Sequence, residues 1–125
     1  MRAGLLHKYI ESARAKRFRP GEHDCALFAA GWVALVTGQD HSLPWQGYRT
    51  LEDGKAMLAQ AGYADHVDMA AQLLEEIPVA MARTGDLAVV EQQALGIVSS
   101  DRVFALHVDG LTSVSLLRAE RAFRV

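Results

Sequence analysis

The sequence has a single cysteine, Cys25, among 125 residues, and this scarcity excludes an intramolecular disulfide. It also excludes a zinc site built on two or more cysteines. A lone cysteine is typical of a protein made in a reducing compartment. The fold must therefore be held by a hydrophobic core, which a chain of this length with 50% hydrophobic residues can supply.

Excess positive charge and long apolar runs are also lacking. The formal net charge of -2 argues against a nucleic-acid module that works through general phosphate neutralisation. The longest nearly uncharged stretch, residues 25–39, is interrupted by Gly31 and Gly38 and is shorter than the roughly 20 residues of a membrane-spanning helix. Only Leu5 and Leu6 form an apolar patch at the N-terminus, so no signal peptide is expected. We expect a soluble protein with no nucleic-acid partner and no membrane-spanning segment.

Hydrophobic periodicity predicts helices in the first part of the chain. An amphipathic helix is predicted over residues 3–16, and a helix that is apolar almost all round over residues 24–38. Gly31 within the second helix indicates that another element packs close to it. Further helices are predicted over residues 50–62 and 69–76.

From Gly85 the pattern changes to short runs rich in Val, Ile and Leu, separated by turn residues. These runs predict a small antiparallel sheet. The tail, residues 119–125, is predicted to add a last edge strand with Arg121 and Arg124 facing water.

The order of elements, helices first and then a meander of strands, predicts the α+β class with the long apolar helix laid across the sheet. We expect one domain over residues 1–125. Its parts would be an amphipathic N-terminal helix within residues 1–19, a helical half over 20–77 and a sheet half over 85–125.

Cys25 is the strongest candidate nucleophile, because it is predicted at the first turn of the apolar helix. Unpaired backbone N–H groups and the positive end of the helix dipole lie there, and both favour thiolate over thiol. The alternative is that Cys25 is a small buried hydrophobic residue, as free cysteines often are.

A cysteine hydrolase needs a histidine within hydrogen-bond reach of the sulfur. His107 is predicted inside a strand, on the same face as Ala105, and would pair with Cys25 if that face meets the start of the apolar helix. Otherwise His107 lies on the open side of the sheet. His23 is too close in sequence to face the sulfur easily. Three histidines are expected at the surface: His7, His41 and His66.

No other motif indicates chemistry. The sequence has no HExxH motif, no EF-hand loop and no glycine-rich phosphate loop, so neither a metal site nor a cofactor site is expected. Trp45 and Tyr48, in the loop over residues 38–49, either anchor a partner or cover the core beside the long helix.

Three segments together resemble a known family. They are HDCALFAA at the start of the apolar helix, TGDLAVV at the start of the sheet and ALGIV on the following strand. The combination resembles the NlpC-type cell-wall cysteine peptidases, a compact branch of the papain-like fold. The resemblance implies that Cys25 is the nucleophile, and it places Ala94 where that family has its basic histidine. His107 then falls near the position of a third, orienting polar residue.

The chain is similar still more closely to small proteins encoded with tail genes of bacteriophages and prophages. The shared features are the Asp-Cys-Ala-Leu-Phe start, Thr-Gly-x-Asp, a Gly-Tyr loop and a terminal Ala-x-Arg-Val-like tail. This similarity, with Ala94 at the histidine position, implies a structural or assembly component of a phage tail tip or baseplate built on a degenerate peptidase fold. Its partners would be other tail proteins, and its location the virion after synthesis in the bacterial cytoplasm.

The alternative is an active cysteine hydrolase that cuts peptide or amide bonds of peptidoglycan during phage DNA entry. In that hypothesis Cys25 is the nucleophile and His107 the base.

Overall fold

The computed structural model describes residues 2–91 and 93–125. This part of the chain contains four α-helices and one six-stranded antiparallel sheet, which confirms the predicted α+β class. The helices are α1 (Arg2–Arg14), α2 (Cys25–Thr37), α3 (Leu51–Gln60) and α4 (His66–Leu73). The strands are β1 (Glu76–Ile77), β2 (Leu87–Val90), β3 (Ala94–Ser99), β4 (Arg102–His107), β5 (Gly110–Ser115) and β6 (Arg121–Phe123). None of the described helices is long and apolar enough to cross a membrane.

Helix α2 begins and ends as its sequence predicts. The side chain of Asp24 accepts a hydrogen bond from the Leu27 amide at 2.9 Å and so caps the first turn. Gly38 ends the helix in the left-handed conformation, at φ 79°, and its amide donates to the Ala34 carbonyl. Four residues of α2 are fully buried: Phe28, Ala29, Trp32 and Val33. The helix therefore lies at the centre of the core.

The close approach predicted at Gly31 is made by helix α1. A Cβ atom at Gly31 would overlap the hydroxyl of Tyr9. That hydroxyl donates a 2.6 Å hydrogen bond to the Phe28 carbonyl, and the Tyr9 ring stacks on Phe28 at 5.5 Å. Gly31 is thus required by the packing of α1 on α2.

The sheet has the strand order β1-β6-β2-β3-β4-β5 and is buried on both faces over its central strands. The face toward the helices contributes Leu87, Val89, Leu95, Ile97, Leu106 and Phe123 to the main core. The opposite face carries a second cluster: Ala88, Val90, Ala94, Val98, Val103 and Ala105. Burial on both faces explains why these strands are continuous hydrophobic runs without polar alternation.

The prediction that the tail forms an edge strand is wrong. Strand β6 pairs with β2 on one side and with the two-residue strand β1 on the other, and Ala122 and Phe123 are fully buried. Glu76, predicted to end a helix, lies in β1 and holds the Arg121 guanidinium at 2.7 Å. The cover that β1 provides turns the tail into an interior strand.

The fourth helix begins three residues earlier than predicted, at His66. Asp65 caps it by accepting a 2.8 Å hydrogen bond from the Asp68 amide. This change matters for the site, because it moves His66 from a surface loop to the first turn of a helix.

Asp86 joins both ends of the chain to the sheet. Its buried carboxylate accepts hydrogen bonds from the amides of Arg83 at 2.9 Å and Val125 at 3.1 Å, and the Arg2 guanidinium lies 3.8 Å away. Hydrogen bonds to a buried charged acceptor are among the stronger single contributions to stability.

We therefore expect Asp86→Asn to lower the free energy of unfolding by about 1–3 kcal/mol, because the amide group replaces one acceptor oxygen with a donor. The measurement is chemical denaturation, with Asp109→Asn at an exposed turn position as the matched control. Equal stabilities for the two variants would contradict this role of Asp86.

Candidate active site

The single cysteine lies at the first position of α2, where two polar groups face its sulfur. The Sγ atom of Cys25 is 3.9 Å from Nε2 of His66 and 3.7 Å from the carbonyl oxygen of Leu95. The cysteine is half-buried. Both contacts link residues distant in sequence, so the tertiary structure alone assembles this pair.

The prediction that His66 is a surface residue is wrong. His66 is the first residue of α4 and is half-buried, with its imidazole directed at the sulfur. The sequence did hold one signal for this placement: Asp65 followed three residues later by Asp68 is an N-cap pattern. Nothing in the sequence showed that this helix start would meet the start of α2.

His107, considered in the sequence as a base for Cys25, contacts a carboxylate in the structure. Nε2 of His107 lies 3.6 Å from the carboxylate of Glu91. Leu106 points into the main core beneath the helices, whereas Ala105 belongs to the opposite face. The alternation of side chains along a strand puts His107 on the face of Ala105, yet at the end of β4 it also lines the cavity that Cys25 lines.

Ala94, which the resemblance places at the family's histidine position, packs on the opposite face of the sheet from α2. Its neighbour Leu95 faces α2 and supplies the carbonyl that contacts Cys25. A histidine at position 94 would thus point away from the sulfur. Although position 94 is an alanine, Cys25 still has a histidine, His66, beside its sulfur.

Cys25 and His66 are both uncharged in the resting protein. Burial raises the pKa of the Cys25 thiol, and the negative charge of Asp24 raises it further. Burial lowers the pKa of His66, opposed by the Asp65 carboxylate and the backbone carbonyl of Gln93. A raised thiol pKa and a lowered imidazole pKa leave a thiol beside an uncharged imidazole near pH 7.

The side chain of Asp24 accepts three hydrogen bonds that hold the start of α2 and the loop with Tyr48 in place. One carboxylate oxygen caps α2 through Leu27, and the other accepts hydrogen bonds from the Gly21 amide at 2.9 Å and from the Tyr48 hydroxyl. Tyr48 also lies against Gly54 of α3, where a Cβ atom would come within 2.8 Å of the ring. Burial and the hydrogen bond to Asp24 raise the pKa of Tyr48, so its hydroxyl remains a donor.

A cavity of about 270 Å³ adjoins the pair. Its walls include one face of α2, the facing sides of α3 and α4, and the loop that carries Tyr48. Cys25 and His66 lie in its wall, and His41 and His107 also line it. A concave space beside a half-buried thiol is the geometry that a small-molecule site requires.

The structure also places three other residues considered in the sequence: His7, His23 and Trp45. His7 is exposed on α1, as predicted, and the ring of His23 contacts the Ala13 carbonyl at 3.1 Å. Trp45 packs edge-on against Tyr63 with 6.3 Å between ring centroids. Within residues 2–91 and 93–125, no three His, Cys, Asp or Glu side chains are grouped as a metal site would need.

The family model described as domain of unknown function (DUF6950) matches residues 2–125 of the chain. The chain belongs to this family. No curated protein matches it significantly. In this DUF6950 member, the matched region includes the whole Cys25–His66 site.

The neutral resting state predicts the titration of the thiol. Because burial raises the pKa of Cys25, we expect the midpoint of thiolate formation to lie above the ordinary value of about 8.5. The absorbance of thiolate at 240 nm, taken as the difference between the parent protein and Cys25→Ala, measures it directly. A midpoint below 7 would show instead a thiolate–imidazolium pair.

The role of Tyr48 is testable through stability. Tyr48→Phe removes one donor from the buried carboxylate of Asp24, and we expect a loss of about 1–3 kcal/mol in the free energy of unfolding. Tyr63→Phe is the matched control. If both variants unfold at the same denaturant concentration as the parent, the hydroxyl of Tyr48 does not support the start of α2.

Proposed function

We propose that this DUF6950 member is a cysteine hydrolase in which Cys25 is the nucleophile and His66 the general base. The observation that carries the proposal is the 3.9 Å contact between Sγ and Nε2 at the start of α2, in the wall of a cavity. A nucleophile and a base within reach of each other, beside a cavity that can hold a substrate, are the minimal requirements for acyl transfer.

The neutral state of the pair defines the chemical step. As Sγ attacks a carbonyl carbon, the thiol proton moves to Nε2 of His66, and a carbon–sulfur bond forms. The imidazolium then gives the proton to the departing amine or alcohol as its bond to the carbonyl carbon breaks. Water attacks the thioester with its proton taken by His66, which releases the carboxylic acid and restores the thiol.

The backbone at the start of α2 is suited to stabilise the negative oxygen that forms during attack. The amides of Cys25 and Ala26 occupy the first positions of the helix, where no intrahelical carbonyl is in reach. Leu27 is bonded to Asp24 and does not take part. Amides directed at a developing oxyanion typically contribute about 10²–10³ in rate.

The NlpC-type, papain-like relationship is part of this proposal. Its support is an Asp-Cys pair that opens a buried helix packed on an antiparallel sheet. The difference is that the histidine comes from the start of α4 instead of a strand. A peptide or amide of peptidoglycan is the substrate class that the relationship implies.

A second proposal is that the protein is an assembly component of a phage tail tip or baseplate, bound to other tail proteins in the virion. Large apolar side chains on its surface favour an interaction role: Leu117 is 95% exposed, Leu43 69% and Val108 67%. Such a role would not need Cys25 or His66. In a phage that carries this gene, particles built with Cys25→Ala would then form at the parent yield.

Hydrolysis itself is tested with p-nitrophenyl acetate and with muropeptides. We expect Cys25→Ala to abolish turnover and His66→Ala to lower it by about 10²–10⁴, since the general base is lost. His107→Ala should lower it less than His66→Ala, and His7→Ala, on the surface of α1, should leave it unchanged. Turnover that survives Cys25→Ala would refute the proposal.

The pH profile provides an independent check. Because the base must be unprotonated and burial lowers the pKa of His66, we expect kcat/KM to rise with pH and to reach half its plateau below pH 6.5. A half-maximum above pH 8 would indicate that thiolate formation, and not His66, limits the reaction.

A further inference from the structure

We infer that the group on the acyl side of the scissile bond is uncharged and apolar, an aliphatic or aromatic chain that lies in the cavity beside α2. This inference rests on the proposed hydrolase function, and it narrows the substrate class. Three observations carry it: the small side chains of α2, the aliphatic opposite walls and the state of the charged groups nearby.

Apart from Leu27 at its first turn, the α2 wall of the cavity is built from small residues. Ala26, Ala29, Ala30 and Val33 follow Cys25 at helical spacing and line the space in the direction of the helix axis. Their short side chains leave room next to the helix, in contrast to Phe28 and Trp32, which fill the core on its other sides. A chain attached to a carbonyl held at Sγ would continue along this wall.

The opposite walls are aliphatic. Helices α3 and α4 face the space with Leu51, Leu58, Met69 and Leu73. A cavity of about 150 Å³ lined by such side chains holds a benzene-sized molecule. The volume of about 270 Å³ therefore has room for roughly six to ten carbon atoms.

The charged groups around the cavity do not favour an acidic ligand. The carboxylate of Asp24 is negative, and its oxygens are already bonded to Leu27, Gly21 and Tyr48. Lys55 is the cation among the lining residues, and its side chain is exposed to solvent. A carboxylate at the far end of the acyl chain, away from the amides at the start of α2, would lose its hydration without gaining a buried lysine or arginine partner.

The experiment is a series of p-nitrophenyl esters from acetate to octanoate, hydrolysed by the full chain. We expect kcat/KM to rise about fourfold for each added methylene, up to roughly six carbons, because each one leaves water for the apolar wall. A ω-carboxylated ester of the same length should react at least tenfold more slowly than its uncharged counterpart.

Filling the cavity should shorten the preferred chain. Ala30→Leu places three more carbons on the α2 wall, and we expect it to lower the ratio of kcat/KM for hexanoate to kcat/KM for acetate at least tenfold. Ala59→Leu makes the same change on the exposed side of α3 and is the matched control. Circular dichroism confirms that both variants fold.

The outcomes separate this inference from the proposed function. Hydrolysis that depends on Cys25 but not on chain length, or that prefers the charged ester, overturns the inference and leaves the hydrolase. If no ester or muropeptide is hydrolysed, the proposed function fails. Calorimetric titration of Cys25→Ala with n-alkyl amides then tests separately whether the cavity is an apolar binding site. Affinity that rises with chain length, and is lost in Cys25→Ala combined with Ala30→Leu, supports an apolar site; affinity independent of length refutes it.

Discussion

The buried carboxylate of Asp24 is the interaction on which the rest of the site depends. One oxygen fixes the first turn of α2, and the other receives the Gly21 amide and the Tyr48 hydroxyl. The first of these contacts places Cys25 at the end of a helix with its amide free. The second brings the loop before α3 over the side of α2, where Tyr48 lines the cavity. A single charge thus positions both the nucleophile and the space in front of it.

The negative charge of Asp24 also raises the pKa of the Cys25 thiol. Asp24 and burial both disfavour the thiolate, although the positive end of the α2 dipole favours it. Burial lowers the pKa of His66, so its imidazole stays neutral. In the proposed reaction the imidazole must therefore accept the proton of the thiol during attack. A neutral pair of this kind also protects the cysteine from adventitious alkylation and oxidation, since both act on the thiolate.

An enzymatic role and a role in assembly place different demands on this fold. Catalysis uses the Cys25–His66 pair and the cavity, which lie between helices α2, α3 and α4. Assembly would use the exposed apolar side chains, such as Leu117 and Val108, which follow strands β5 and β4. Val108 also lines the cavity, whereas Leu117 does not, so an assembly surface centred on Leu117 is compatible with the hydrolase in one protein. The contact between Cys25 and His66 favours the hydrolase, because a purely structural protein has no need for it.

Local sequence determined the elements and the nucleophile position. The cap Asp24, the stop at Gly38 and the apolar runs of the sheet define their helices and strands through interactions of neighbouring residues, so the class and the place of Cys25 could be predicted. The tertiary structure alone decided that β1 covers the tail and that the start of α4 meets the start of α2. His66 is 41 residues from Cys25, and such long-range contacts follow from packing of the whole core, which no local pattern encodes.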